Sequence, residues 1–113
     1  MLPAANRLRT SKEFELVTKT GERATSLSLV LYLKTTEGVS FEPKVGLIVN
    51  SSVGGSVTRH RVSRQLRHAI APHLNKFAKG SQLVIRVLRK KDSYTEELSE
   101  LITKLLTKKS VNA

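Results

Sequence analysis

The sequence predicts an α+β sandwich, with helices packed on a mostly antiparallel sheet. Three observations carry that expectation. Leu27, Leu29, Leu31 and Leu33 alternate with Ser28, Val30, Tyr32 and Lys34, the period-two signature of a strand with one well-buried face. Ser81 to Leu88 is nearly continuous in apolar character, as expected of a central strand covered on both faces. Three further segments, one before these strands, one between them and one after, carry apolar residues at helical spacing. With 113 residues the chain is long enough for one modest core, so a single domain over residues 1–113 is expected.

Taken in order, Leu2 to Arg9 reads as an extended lead-in. Thr10-Ser-Lys-Glu13 has the form of a capping box, in which a hydroxyl and a carboxylate satisfy the orphan amides of a helix start. The helix it opens, from Ser11 to about Lys19, puts Phe14 and Val17 on one side and stops near Gly21. Arg23 to Thr25 fits a short strand or the approach to the leucine strand that follows from Ser26. Gly38 and Pro43 bracket a hairpin-like connection to a second apolar strand, Lys44 to Val49, with Val39 to Phe41 a candidate for its start. These two strands are expected to pair antiparallel. Ser56 is a candidate N-cap for the next helix, and Pro72 should kink it or end it near Ala71, with a further turn to about Phe77. After the third strand, Ser93-Tyr-Thr-Glu96 has the form of a second capping box, opening a helix with Leu98, Leu101, Ile102, Leu105 and Leu106 at helical spacing. The last five or so residues should fray.

Charge is distributed unevenly. The formal net charge is +11, and all eleven excess bases fall between Pro43 and Lys91, a segment with no Asp or Glu. The remainder of the chain is formally neutral. Such segregation is an electrostatic footprint for a polyanion. With no cysteine in the sequence, disulfides and thiolate metal sites are excluded. No run approaches the roughly 18 apolar residues of a membrane span, and the first residues lack the apolar stretch of a signal peptide, so a cytoplasmic protein without a membrane partner is expected.

The centre of the charge is the helix after Gly54-Gly55. At about 100° per residue, His60, Arg61, Arg64, Arg67 and His68 share an arc of roughly 120°, while Val62, Leu66, Ala69 and Ile70 lie opposite. Arg59 falls toward the apolar side at the first turn, where a long side chain reaches around the helix end. A face serving only solubility would mix signs; this one holds no acid and uses Arg, whose planar fork suits phosphate and stacks on bases. The glycine turn lacks the Lys-Ser/Thr ending of a nucleotide-binding loop, although amides at such a helix start suit a single backbone phosphate.

Protein catalysis has little support. Glu13 and Glu15 point to different faces, Glu96 and Glu97 look like helix-start charges, and His60, His68 and His73 lack metal-site spacing. A strand rather than a short helix precedes the basic helix, which argues against a helix-turn-helix DNA reader and toward RNA. Phe14 fits either a core position or the wall of a groove. Tyr32, on the strand face opposite the leucines, fits a half-exposed residue or a stacking platform for unpaired bases.

Asn6-Arg7-Leu8-Arg9-Thr-Ser-Lys-Glu-Phe14, Leu29-Val-Leu-Tyr32, Val45-Gly-Leu-Ile-Val49 and Val53-Gly-Gly-Ser-Val-Thr-Arg59-His-Arg61-Val-Ser-Arg64-Gln-Leu-Arg67 together resemble the bacterial ribonuclease P protein subunit. The resemblance implies a two-layer α/β sandwich of order αβββαβα, like domain 2 of ribosomal protein S5, with a left-handed βαβ crossover. It implies an enzyme only in the sense of a ribonucleoprotein endonuclease, whose RNA and magnesium ions hydrolyse the 5′ leader from precursor tRNA. The partners would be the catalytic RNA and the precursor, with no small-molecule substrate and with magnesium held mainly by the RNA. Arg59, His60, Arg61, Arg64, Arg67 and His68 would meet the catalytic RNA, and Phe14, Val17, Tyr32 and Arg86 would line the leader cleft. Against the usual family pattern, His60 stands for Asn, Ser63, Ser51 and Ser52 for Lys, Gly55 for Asn, and Thr18 for an aromatic. The competing classes are a ribosomal or other structural RNA-binding protein, and a stand-alone nuclease.

Overall fold

A computed structural model describes residues 6–8 and 10–111. The elements follow the order α1 (Ser11–Thr20), β1 (Glu22–Thr25), β2 (Leu29–Thr35), β3 (Lys44–Ile48), α2 (Ser56–Ile70), β4 (Ser81–Val87) and α3 (Thr95–Val111). The expected lead-in falls outside the described residues at positions 2–5 and 9. What is described of it lies along β3: Asn6 Nδ2 donates to the Pro43 carbonyl at 2.8 Å, and the Leu8 amide donates to the Val45 carbonyl at 3.0 Å. The expected fraying at the C-terminus falls outside the described residues at 112 and 113; the α3 backbone continues to Val111.

The first capping box forms in full. The Glu13 amide donates to Thr10 Oγ1, and the Thr10 amide donates back to Glu13 Oε1, each at 3.2 Å. The second does not form as expected. The chain pivots at Tyr94, whose carbonyl accepts the Leu98 amide at 2.8 Å, so α3 begins at Thr95 rather than behind a Ser93 cap. The cause is the Tyr94 ring: it is 2% exposed, and its hydroxyl donates to the Arg89 carbonyl while accepting the Lys91 amide, both at 2.9 Å. Glu97 is drawn away to the Ser28 amide at 3.2 Å and the Lys91 ammonium at 3.3 Å.

The sheet order is β1-β2-β4-β3. β1 pairs antiparallel with β2, β2 antiparallel with β4, and β3 parallel with β4. The near-continuous apolar strand is thus central, as its composition requires. The expected antiparallel pairing of β2 with β3 is incorrect, because β4 lies between them. The Thr36–Glu42 connection does not close a hairpin: the Thr36 amide donates to the Gly80 carbonyl at 3.0 Å, and the Gly80 amide donates to the Phe41 carbonyl at 2.8 Å. Both ends of the connection are tied to the residue that leads into β4, which opens a gap one strand wide. Val39 to Phe41 accordingly stay outside β3, and Leu27, in the turn before β2, is 76% exposed instead of joining the leucine face.

Helices cover both faces. Leu29, Leu31, Leu33, Leu83, Ile85 and Val87 form the principal core with Val62, Leu66 and Ile70 of α2 and Leu98, Leu101, Ile102 and Leu105 of α3. On the other face α1 crosses the sheet, and Val17 and Leu8 cluster with Val84, Phe14, Tyr32 and Ile48. Pro72 resolves as a helix end: α2 stops at Ile70 and a 3₁₀ helix, Ala71–Lys76, carries the chain to Phe77.

Candidate nucleic-acid interface

Two glycines set the geometry of the site. Gly46 in β3 has no side chain to hold off α1, and the Phe14 ring occupies the space where a Cβ would stand. Phe14 therefore lies directly on the β3 backbone, half-buried, with its ring at the sheet edge. Gly54 has φ +155°, in a region L side chains rarely adopt, and the Thr58 side chain closes over it. It ends a 3₁₀ turn, Ser51–Val53, and delivers the chain to α2. The N-cap is Gly55 rather than Ser56: Ser56 is already helical, and the Arg59 amide donates to the Gly55 carbonyl at 2.9 Å.

β3 is an edge strand, and its outer edge forms the floor of a groove of about 330 Å³. Phe14, Arg7 and Leu8 stand on one side; Ser56, Arg59, His60, Ser63 and Arg67 of α2 stand on the other. Among the described residues no carboxylate lines it. Arg59 is half-buried, with its Nε enclosed and without a hydrogen-bond partner among the described residues. An enclosed cationic donor across a groove from an aromatic ring suits an anionic ligand that also carries a flat apolar surface.

The arc of bases expected on α2 divides between two sides. Arg59, His60 and Arg67 line the β3 groove, whereas Arg61, Arg64 and His68 line a second cavity toward the start of α3. The division follows from α2 lying over the sheet by Val62, Leu66 and Ile70, which sends residues on either flank of that stripe to opposite sides of the helix. Of the expected cleft residues, Phe14 and Tyr32 share one cluster, and Val17, 0% exposed, supports them from beneath. Arg86 is exposed one row along, its Cα opposite Val30 and Ile48. Tyr32, Val84 and Gly46 fall in one row across the sheet, so Tyr32 and the Phe14 ring on Gly46 flank fully buried Val84.

Sequence reasoning did not single out Arg7, Gly46 or Ser63 as lining residues. A usable signal existed for Gly46, since glycine inside a strand pattern marks close approach by another element. Nothing marked Arg7, and Ser63 was marked only as a departure from a family lysine; both line the groove because the lead-in and α2 flank the same edge.

A family model, Ribonuclease P, matches residues 2–110. The chain belongs to the ribonuclease P protein family. A ribonuclease P protein component from Mycobacterium sp. (strain KMS) is 44% identical over 88 residues, covering 78% of this chain and 75% of the relative. One from Mycolicibacterium gilvum is 43% identical over 102 residues, covering 88% and 82%. The fold agrees with solved ribonuclease P proteins: that of Staphylococcus aureus superposes with a TM-score of 0.70 at 17% identity, over 90% of this chain and 93% of the other. The Thermotoga maritima protein gives 0.62 at 20% identity, over 90% and 92%.

Proposed function

We propose that this chain is the RNA-binding protein subunit of ribonuclease P, acting in the cytoplasm on precursor tRNA together with a catalytic RNA. The observation that carries the proposal, beside family membership, is the β3 groove, where an aromatic ring on Gly46 faces Arg59, His60 and Arg67 with no carboxylate among the described lining residues. A single strand suits it: the cations take phosphates and the ring takes a base face. Phe14, Tyr32 and Arg86 hold the 5′ leader, with Val17 as their support. On the other flank of α2, Arg61, Arg64 and His68 meet the catalytic RNA, while Arg59, His60 and Arg67, expected from the sequence to meet it too, face the β3 groove and the strand it holds.

The chemistry of leader removal is assigned to the RNA. Among the described residues no cluster of three or more His, Asp or Glu is placed to hold a metal ion. Magnesium prefers oxygen ligands, and the cationic β3 groove with no carboxylate among its described lining residues does not fit it, in keeping with magnesium held mainly by the RNA. What the protein contributes is position: it fixes the leader relative to the RNA and offsets phosphate repulsion where the two strands approach. Among the described residues, no helix is long and apolar enough to cross a membrane.

The deciding experiment is cleavage of a precursor tRNA at low magnesium by the cognate RNA, with and without the protein. Stimulation by the protein is expected. No stimulation would refute the assignment, and cleavage by the protein without RNA would place the chemistry in its side chains.

A further inference from the structure

The cavity between α2 and the start of α3 is separate from the groove along β3. It is an open depression of about 510 Å³, within the roughly 300–1,000 Å³ of sites for small organic ligands. Its apolar wall is Ala69, Pro72 and Tyr94, and Arg61, Arg64 and His68 border it from α2. Asp92 is the one carboxylate among the described lining residues. The walls are tied together: Gln65 Nε2 donates to the Asp92 carbonyl at 2.9 Å, and the two hydrogen bonds of the Tyr94 hydroxyl fix its ring. The site is therefore formed before a ligand arrives, and a ligand loses little in ordering it.

We infer that this cavity takes one unpaired nucleotide of a bound RNA, with its base against Ala69 and Pro72, above buried Tyr94, and its phosphate on Arg61 and Arg64. The inference rests on the RNA-binding role proposed above and adds a second nucleotide site on the far side of α2. An apolar ligand without charge would leave the arginines unused, and a bare anion would leave the apolar wall unused; a nucleotide uses both. His73 supplies a polar group on the lining. Lys76 Nζ lies 3.0 Å from its Nδ1, so that nitrogen accepts and the ring's proton sits on Nε2. Burial, and then the charge of Lys76, lowers the His73 pKa, which favours the neutral ring. The site thus offers one N–H donor for a base edge beside its two phosphate-binding forks.

The test is an NMR titration of the full-length, ¹⁵N-labelled protein with AMP and, separately, with inorganic phosphate at matched ionic strength. AMP should shift the amides of Ala69, His73, Tyr94 and Thr95 saturably, whereas phosphate should move only those near Arg61 and Arg64. Ala69→Leu fills the cavity and keeps every charge, so it should weaken AMP roughly tenfold or more and leave phosphate binding unchanged. Identical maps for AMP and phosphate would overturn the inference, as would AMP shifts confined to Phe14 and Tyr32. The wild-type maps decide the matter even if the variant does not fold. A protein that assembles with ribonuclease P RNA while AMP leaves the cavity undisturbed refutes the nucleotide site alone; failure to bind that RNA would remove the broader role as well.

Discussion

Replacing Gly46 with alanine puts a Cβ onto the Phe14 ring and 3.1 Å from Leu8 Cβ. Gly46 does not adopt a positive φ, so the backbone accepts alanine and the conflict is steric alone. Overfilling a site of this kind costs roughly 1–3 kcal/mol, and the half-buried ring relieves it by leaving the β3 edge. The groove then loses its stacking surface, worth roughly 1–3 kcal/mol per base, which corresponds to about 5- to 150-fold weaker binding of the leader. In a Phe14→Ala background the ring is already gone. The same Gly46→Ala change should then cost clearly less, because only the 3.1 Å approach to Leu8 Cβ remains and the reduced freedom of the unfolded chain offsets it by roughly 0.4–1 kcal/mol. The assay is a double-mutant cycle, read by chemical denaturation and by affinity for precursors with and without a 5′ leader. Equal destabilisation by Gly46→Ala in both backgrounds would refute the argument, because the cost would then owe nothing to the ring.

Four other outcomes follow from the same structure. Arg61→Ala with Arg64→Ala should weaken assembly with the catalytic RNA and reduce the slope of log K against log salt by roughly one for each phosphate left unneutralised; an unchanged slope would exclude phosphate binding by these arginines. Tyr32→Ala should reduce the benefit of a longer leader and spare assembly, so equal losses for precursors with and without a leader would contradict its place in the cleft. Tyr94→Phe strands the Arg89 carbonyl and Lys91 amide and should cost about 1–3 kcal/mol of stability, measured in urea. The lowered His73 pKa means the folded state favours the neutral ring. Its contribution is complete above the unfolded value of 6.5 and is lost as pH falls through the folded value, so His73→Gln should flatten the fall in Tm below pH 6.5.

Features determined by neighbouring residues were legible in the sequence. The Thr10 capping box, the α1 stop at Gly21 and the end of α2 before Pro72 depend on interactions a few residues apart, and each formed. The buried character of β4 was legible because a strand covered on both faces has little room for polar residues. The partner of β3 was not, since nothing in Lys44 to Ile48 distinguishes pairing with β2 from pairing with β4; the bonds of Thr36 and Phe41 to distant Gly80 decide it. The site followed the same division. Helical periodicity identified the basic residues of α2 but not their separation into two flanks, which depends on how deeply Val62, Leu66 and Ile70 seat the helix. Ser93 has the residue type of a cap, but the burial of Tyr94 moves the helix start beyond it.

The central position of β4 also governs the order in which the chain matures during synthesis. β1 and β2 are a local antiparallel pair and can associate as soon as both have left the ribosome. Among the described residues β3 has only the Arg7–Leu8 segment beside it until its strand neighbour Ser81–Val87 emerges, after all of α2 has been made. In that interval the arginine-rich segment is a tethered polycation without the sheet that seats it, close to the densest concentration of RNA in the cell. Closure of the sheet by a late, non-local strand makes folding slower than for a chain of nested hairpins. The strand that ends that exposure is also the one that holds β3, the groove's floor, in the sheet.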